Sequence, residues 1–309
     1  TLNALNTMSV FLATHGVTGF LATTASDSQE NIENALENIA QHQMHLQGAH
    51  LLGVHIEGPY LNPAFKGAQN PAFLRLPARS EYEAWLATGT VKLITIAPEL
   101  PGMDEMILAC REHGVELSIG HSSASYAQVI HAAELGVRQA THLFNGMQGL
   151  HHREPGTVGG ILTDERIIAQ IICDGIHLHP AIVKLILLCK GIDQTILISD
   201  AIRATGLTDG IYDLAGQEVT VSQGVARIAN GSLAGSTLTL DVALRNAMQF
   251  SGFEFSQILA MTTRVPTHAM HLSSRKGYIR KGYDADLAIF DHNFHVVSTI
   301  VSGSQVYYE

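Results

Sequence analysis

The chain has little positive charge, few cysteines and no long apolar run, and each shortage narrows what it can be. Lys and Arg number 18 against 28 Asp and Glu, a formal net charge of −10. No Lys/Arg run interrupts that acidic background, so a nucleic-acid partner is not expected. A small anion is a different case, because one or two placed cations and backbone amides can hold it. The only cysteines, Cys110, Cys173 and Cys189, form no CxxC pair and lie in apolar stretches, which predicts buried free thiols and a reducing cytoplasm. Apolar stretches such as 182–189 (IVKLILLC) stop well short of the roughly 20 residues of a membrane helix, and no charged-then-apolar leader opens the chain, so a soluble protein is expected. Repeats, low-complexity tracts and linkers are missing too.

What is present describes a folded globular protein. Hydrophobic residues make up 46% and charged residues 15% of 309 positions, enough to build one large core and far from a disordered composition. Short β-branched runs at 17–24, 51–57, 91–97, 115–121, 139–145, 167–174 and 195–200 alternate with helical patterns at about 29–46, 79–88, 103–113, 124–136 and 179–190. Repeated βα units predict a parallel sheet.

The 17 histidines cluster near the ends of apolar segments. Six of the seven strands end in, or run into, residues able to do chemistry: Glu57, Glu99, His121, His142, Asp174 with His177, and Asp200. Polar residues gathering at the carboxyl ends of successive parallel strands favour a barrel over a flat doubly wound sheet. The expected fold is therefore α/β, a (β/α)8 TIM-like barrel with a small β-sandwich-type domain. Eight strands close such a barrel and seven are found, so the first strand is expected to lie upstream of Thr1. Residues 1–272 are assigned to the barrel, with a β-hairpin excursion near 211–235, and 273–309 to the small β domain.

Glu57, His121 and His142 fall on separate strand ends. One carboxylate with two neutral imidazoles is the ligand set of a catalytic divalent ion such as Zn²⁺, with a position left for water. Taken singly, each residue also fits a hydrogen-bonded rim position. Asp200 is either a structural cap or, with a metal opposite, the general base of a hydrolysis. Arg153 in the loop 151–156 (HHREPG) is either half of a surface pair with Glu154 or a guanidinium placed to grip phosphate.

Seven motifs carry a resemblance: HIEGPYLNP (55–63), IGHSSAS (119–125), THLFNGM (141–147), HHREPG (151–156), DGIHLHP (174–180), LISDA (197–201) and GSLAGSTLTLD (231–241). Together they make the chain resemble the N-acetylglucosamine-6-phosphate deacetylases of the amidohydrolase superfamily, from about residue 15 to about residue 291. That resemblance implies Glu57, His121 and His142 as metal ligands and Asp200 as catalytic acid/base. It further implies that Asn145, Gly146 and His177 contact the substrate and that Arg153 reaches the phosphate bound in the other subunit of a homodimer.

Two positions depart from the family. Gln69 stands where members often carry His to polarise the acetyl carbonyl, and it can donate only a neutral hydrogen bond. Asn145-Gly146 replaces the usual Asn-Ala and is similar to N-acetylgalactosamine-6-phosphate deacetylases. The expected activity is hydrolysis of N-acetylglucosamine 6-phosphate to glucosamine 6-phosphate and acetate, in amino-sugar catabolism, with one divalent ion. Zinc is the first choice of metal and iron, cobalt or manganese are the alternatives; a second metal is left open. The alternatives in function are the galactosamine epimer, another amidohydrolase, and a sugar-phosphate sensor without catalysis. A sensor would have no use for a proton carrier at Asp200.

Overall fold

Strand formation follows the β-branched runs closely. In the computed structural model, which describes residues 1–309, β1 (Gly19–Thr24), β2 (His50–Glu57), β3 (Val91–Ile96), β4 (Glu116–Ile119), β5 (Gln139–Ala140), β6 (Ile168–Ile172) and β7 (Thr195–Ile198) form one parallel sheet in chain order. It curls as seven staves of a TIM-like barrel, open between β1 and β7. Parallel strands require crossovers. These are the helices α2 (Gln29–His42), α3 (Arg79–Ala87), α4 (Met103–Glu112), α5 (Tyr126–Leu135), α6 (Gly156–Thr163) and α7 (Pro180–Lys190), while α1 (Leu2–Thr14) precedes β1.

Local chemistry accounts for most of the helix boundaries. In α2 the buried residues Ile32, Leu36 and Ile39 recur at helical spacing, and the Ser28 hydroxyl accepts from the Asn31 amide as N-cap. A reciprocal capping box of Ser125 and Gln128 starts α5, and Pro180 opens α7 behind the His179 cap. The sheet and these helices enclose a core of 48 buried residues, including Trp85, Ile94, Met106, Ile171 and Ile186. No helix is long and apolar enough to cross a membrane.

Helix α6 is not foreseeable from periodicity, because Gly156, Gly159 and Gly160 lower its intrinsic propensity. Gly160 is there for space: a Cβ on it would sit 2.8 Å from Val129 of α5. Cys110 and Cys173 are buried as expected, but Cys189 is exposed; it belongs to the outer face of α7, beside the exposed Leu188.

Two small antiparallel sheets complete the chain. The excursion after β7 contains three strands, β8 (Gly210–Leu214), β9 (Gln217–Ser222) and β10 (Val225–Ile228), and leads into α8 (Leu240–Ser251). After the short helices α9 (Phe255–Ile258) and α10 (Arg264–Ala269), the strands β11 (Leu287–Phe290), β12 (Val296–Val301) and β13 (Ser304–Tyr308) form the second sheet. It is tied to α1, since the Thr299 hydroxyl donates to the Ala13 carbonyl at 2.7 Å.

Candidate active site

Three strands stop abruptly where the site begins. His121 follows β4 at φ 48°, His142 follows β5 at φ 35° and Asp200 follows β7 at φ 51°. Left-handed backbone is sparsely populated by non-glycine residues and costs of order 1–3 kcal/mol each, and such outliers cluster at functional sites. The kink at His142, with Phe144 at φ 79°, also explains why β5 is only two residues long although the apolar run extends to 145.

These kinks and the end of β2 bring Glu57, His121 and His142 together. Glu57 Oε1 lies 2.9 Å from Nε2 of His121 and 2.9 Å from Nε2 of His142, and the two Nε2 atoms are 3.1 Å apart. All three side chains are nearly buried. His121 Nδ1 donates to the Phe65 carbonyl at 2.9 Å and His142 Nδ1 to the Asn145 carbonyl at 3.1 Å. A carbonyl only accepts, so each Nδ1 carries its hydrogen and each Nε2 is left facing the same carboxylate oxygen.

Glu57 Oε1 and the two Nε2 atoms therefore converge on one point, where their lone pairs can be held together only by a proton or a cation. Tetrahedral bonds of about 2.0–2.1 Å would set ligand atoms roughly 3.3 Å apart, close to the spacing seen. The carbonyl partners on Nδ1 are the supports that metal-bound imidazoles use. Burial alone would lower the pKa of His142, but the Glu57 carboxylate outweighs it and raises it to about 9, so without a cation a proton on Nε2 would bridge the pair, and a metal ion would replace that proton. Burial opposes ionisation of Glu57 as well, yet the two imidazoles hold it well below the usual carboxylate range. The donor set thus suits a divalent metal.

Gly146 lets this backbone lie unusually close to His121. At φ 60° a Cβ there would meet His121 Nδ1 at 2.8 Å and the Phe65 carbonyl oxygen at 3.0 Å, the two atoms of the bond that orients His121. With the Ala that the family usually carries at this position, the loop Thr141–Gly146 would have to shift away from the imidazole.

The carboxylate of Asp200 makes no hydrogen bond within the chain; burial and then the charge of Glu57 push its pKa up. Its backbone is held by the segment 231–241, which the resemblance named without a role. The Ser236 amide donates to the Asp200 carbonyl at 2.7 Å, the Ser236 hydroxyl donates to the Ser199 carbonyl, and a Cβ on Gly235 would lie 2.8 Å from the Asp200 carbonyl oxygen. Gln69 is buried, with its Oε1 accepting from the Ser26 amide at 2.8 Å. That bond sets which way the amide points and leaves its NH2 without a partner in the chain. His177 Nδ1 meets Asp174 Oδ2 at 2.6 Å, leaving Nε2 free. Burial works against the Asp174 anion, but bonds from His177 hold its pKa low.

Glu57, Gln69, His121, His142, Asn145, Gly146, His177 and Asp200 all line one cavity of about 1510 Å³. It extends past β1 and β7 on the open side of the sheet. Arg153 is not among the lining residues; it is exposed and its Nη1 lies 2.6 Å from His152 Nε2. Glu99 is a brace: it accepts from the Ser122 hydroxyl, the Ser123 amide and Asn62, joining the loops that follow His121 and Glu57.

One interior group was missed. His55, two residues before Glu57 and on the same strand face, bonds Thr23 at 3.2 Å and Thr95 at 2.7 Å. The Thr95 hydroxyl continues to Thr141 at 2.7 Å. Burial pushes His55 down to about 4, so it is neutral. The period of two along β2 could have revealed it.

The fold and site define a class. The Amidohydrolase family model matches residues 3–306, and the chain belongs to that family. Within it, the chain is 37% identical over 308 residues to N-acetylglucosamine-6-phosphate deacetylase of Bacillus subtilis (strain 168), covering 98% of this chain and 78% of the relative. An N-acetylgalactosamine-6-phosphate deacetylase of Escherichia coli O157:H7 is 36% identical over 304 residues, covering 97% of this chain and 80% of the relative. The crystal structure of N-acetylglucosamine-6-phosphate deacetylase from Thermotoga maritima superposes with a TM-score of 0.94 at 35% identity, covering 100% of this chain and 84% of that one.

Proposed function

We propose that this chain hydrolyses the acetamide of N-acetylglucosamine 6-phosphate, releasing acetate and glucosamine 6-phosphate, in amino-sugar catabolism. The observation that carries the reading is the meeting of Glu57, His121 and His142 with Asp200 in one cavity, in a chain of this family. Glu57, His121 and His142 would hold one divalent ion, for which the nitrogen-rich donor set favours Zn²⁺. Such an ion supplies Lewis acidity, polarising the acyl oxygen and acidifying the attacking water.

The remaining chemistry falls to side chains. Asp200 accepts the proton of the water that attacks the acetyl carbon, then delivers it to the departing nitrogen as the C–N bond breaks. Gln69, its carbonyl engaged by Ser26, donates from its free NH2 to the oxygen that gains charge. Asn145, Gly146 and His177 position the sugar phosphate. We place the protein in the cytoplasm, where Cys110, Cys173 and Cys189 stay unpaired, and divide it into a barrel at 1–272 and a small β domain at 273–309.

The test is acetate release from N-acetylglucosamine 6-phosphate, its galactosamine epimer and unphosphorylated N-acetylglucosamine, with and without added divalent metal. The 6-phosphate of the gluco epimer is expected to be cleaved fastest, and only with metal. Asn145-Gly146 favours a second reading, and faster cleavage of the galacto epimer would move the assignment to it. Metal-independent cleavage, or none of any of the three sugars, would sink the proposal.

The exposure of Arg153 supports donation to a second subunit, since nothing in its own chain engages its guanidinium beyond His152. Arg153→Ala is expected to lower kcat/KM for the phosphorylated sugar about 10- to 150-fold, the equivalent of roughly 1.5–3 kcal/mol for a charge-assisted contact, with little further loss on the unphosphorylated sugar. A hybrid of Arg153→Ala and Asp200→Asn subunits should recover activity, because one of its two sites carries neither lesion. Equal slowing of both sugars would make Arg153 structural.

A further inference from the structure

A substrate carrying a phosphate dianion must enter a cavity that already holds Glu57 and Asp200, in a chain of net charge −10. Only three Lys or Arg residues of the chain line that cavity: Lys92, Arg203 and Lys276. Two of them are committed elsewhere. Lys92 is the second residue of β3, at the amino end of the sheet, and its Nζ donates to the Gly89 carbonyl at 2.9 Å. Lys276 is buried between Asp284, at 3.0 Å, and Asp286.

Arg203 differs in both place and partner. It stands three residues after Asp200, on the carboxyl side of the sheet. Its Nη1 lies 3.7 Å from Asp213 Oδ1, and both side chains are more than half exposed. An exposed pair at that distance is weak and exchanges its partner readily. The backbone beneath it is fixed, by contrast: the Ile202 amide donates to the Ser236 carbonyl at 3.0 Å and the Thr205 amide to the Ile202 carbonyl at 2.9 Å. Ala204 is buried in the small cluster formed with Val219 and Val221. A rigid turn therefore carries a guanidinium with no strong partner at the rim of the site, as a receptor for an incoming anion needs.

We propose that Arg203 is a binding residue for the 6-phosphate of the substrate, supplied by the same chain as Asp200, and that it leaves Asp213 to make that contact. The inference rests on the deacetylase reading for the identity of the sugar. It adds to Arg153 and His177 a cation that is present without a second subunit. Asp213 belongs to β8, and the adjacent Leu214 packs against the same small cluster as Ala68, which precedes Gln69 and accepts at its carbonyl from the Gln217 side chain of β9. Release of Asp213 thus occurs on the hairpin that is bonded to the loop carrying Gln69.

The experiment compares wild type with Arg203→Gln, Arg203→Lys and Asp213→Asn. It reads steady-state kinetics on phosphorylated and unphosphorylated N-acetylglucosamine, and calorimetric binding of glucosamine 6-phosphate and glucosamine. Arg203→Gln is expected to raise KM for the phosphorylated sugar about 10- to 100-fold with kcat within about twofold, and to weaken glucosamine 6-phosphate by a similar factor. Arg203→Lys should recover part of the loss, because it keeps the charge and loses the two-pronged geometry. Asp213→Asn should bind as tightly as wild type or up to about fivefold more tightly, since it removes a competitor.

Equal effects of Arg203→Gln on phosphorylated and unphosphorylated ligands, or none on either, would overturn the assignment, as would an Asp213→Asn protein that binds phosphate worse. If wild type releases no acetate, the deacetylase reading fails. The binding arm then decides Arg203 by itself, through the difference between glucosamine 6-phosphate and glucosamine.

Discussion

Replacing His142 with Ala or Asn is expected to yield a folded protein that has lost most of its bound divalent metal and nearly all of its activity, and His121→Ala should behave the same way. The donor set is small. Glu57, His121 and His142 are the only three His, Cys, Asp or Glu residues whose ligand atoms converge, so no neighbour can substitute. Losing a group that merely orients a ligand costs about 10–100-fold in metal affinity, so losing the ligand itself should cost more than about 100-fold. Ala at 142 would also strain a backbone held at φ 35°. Asn tolerates left-handed backbone far better, so His142→Asn separates loss of the imidazole from loss of the turn. Metal content by elemental analysis, thermal unfolding with and without added zinc, and acetate release together read the outcome. A His142→Asn protein that kept a full complement of metal and normal turnover would dissolve the site.

How far the sequence revealed this arrangement differs from one element to the next. β2 and β3 were legible because their apolar runs include β-branched residues and are bounded by turns, and Glu57 at the end of β2 stood out as a charge closing an apolar run. His121, His142 and Asp200 were legible for the same reason. Their left-handed backbone was not, because nothing in the sequence at those positions marks a positive φ. α6 was hidden by its glycines, and the purpose of one of them, the close approach of Gly160 to Val129, exists only in three dimensions. Glu99 looked like a site residue by position and is instead a brace, since a strand-end carboxylate can turn toward its own loop as easily as toward the mouth. Arg203 carried no signal at all. Its significance lies in what the other cavity cations are bound to, and Asp284, Asp286 and Gly89 are distant from it in the chain.

Asp200→Asn is expected to keep the metal, keep KM within a few-fold, and lower kcat by about 10²–10⁴, the usual contribution of a positioned acid–base group. The substitution suits the place. Asp200 sits at φ 51°, and Asn is among the few residues that accept that backbone, whereas Ala would strain it and confuse a fold defect with a chemical one. Its backbone bond to Ser236 does not involve the side chain and survives. What Asn loses is the ability to take a proton from water and give it to nitrogen. Without that transfer the amine would have to leave as an anion. The carboxylate has no hydrogen-bond partner in the chain, so no structural contact is removed and stability should change little. Burial, and the charge of Glu57 until a bound cation neutralises it, raise its pKa above the ordinary aspartate value, and the burial favours the protonated form between the two transfers. The competing assignment, Asp200 as a further metal ligand, predicts something different: metal content would fall in step with rate. Measuring both on one preparation decides between them, and an Asp200→Asn protein with full metal and undiminished kcat would exclude Asp200 from the proton path altogether.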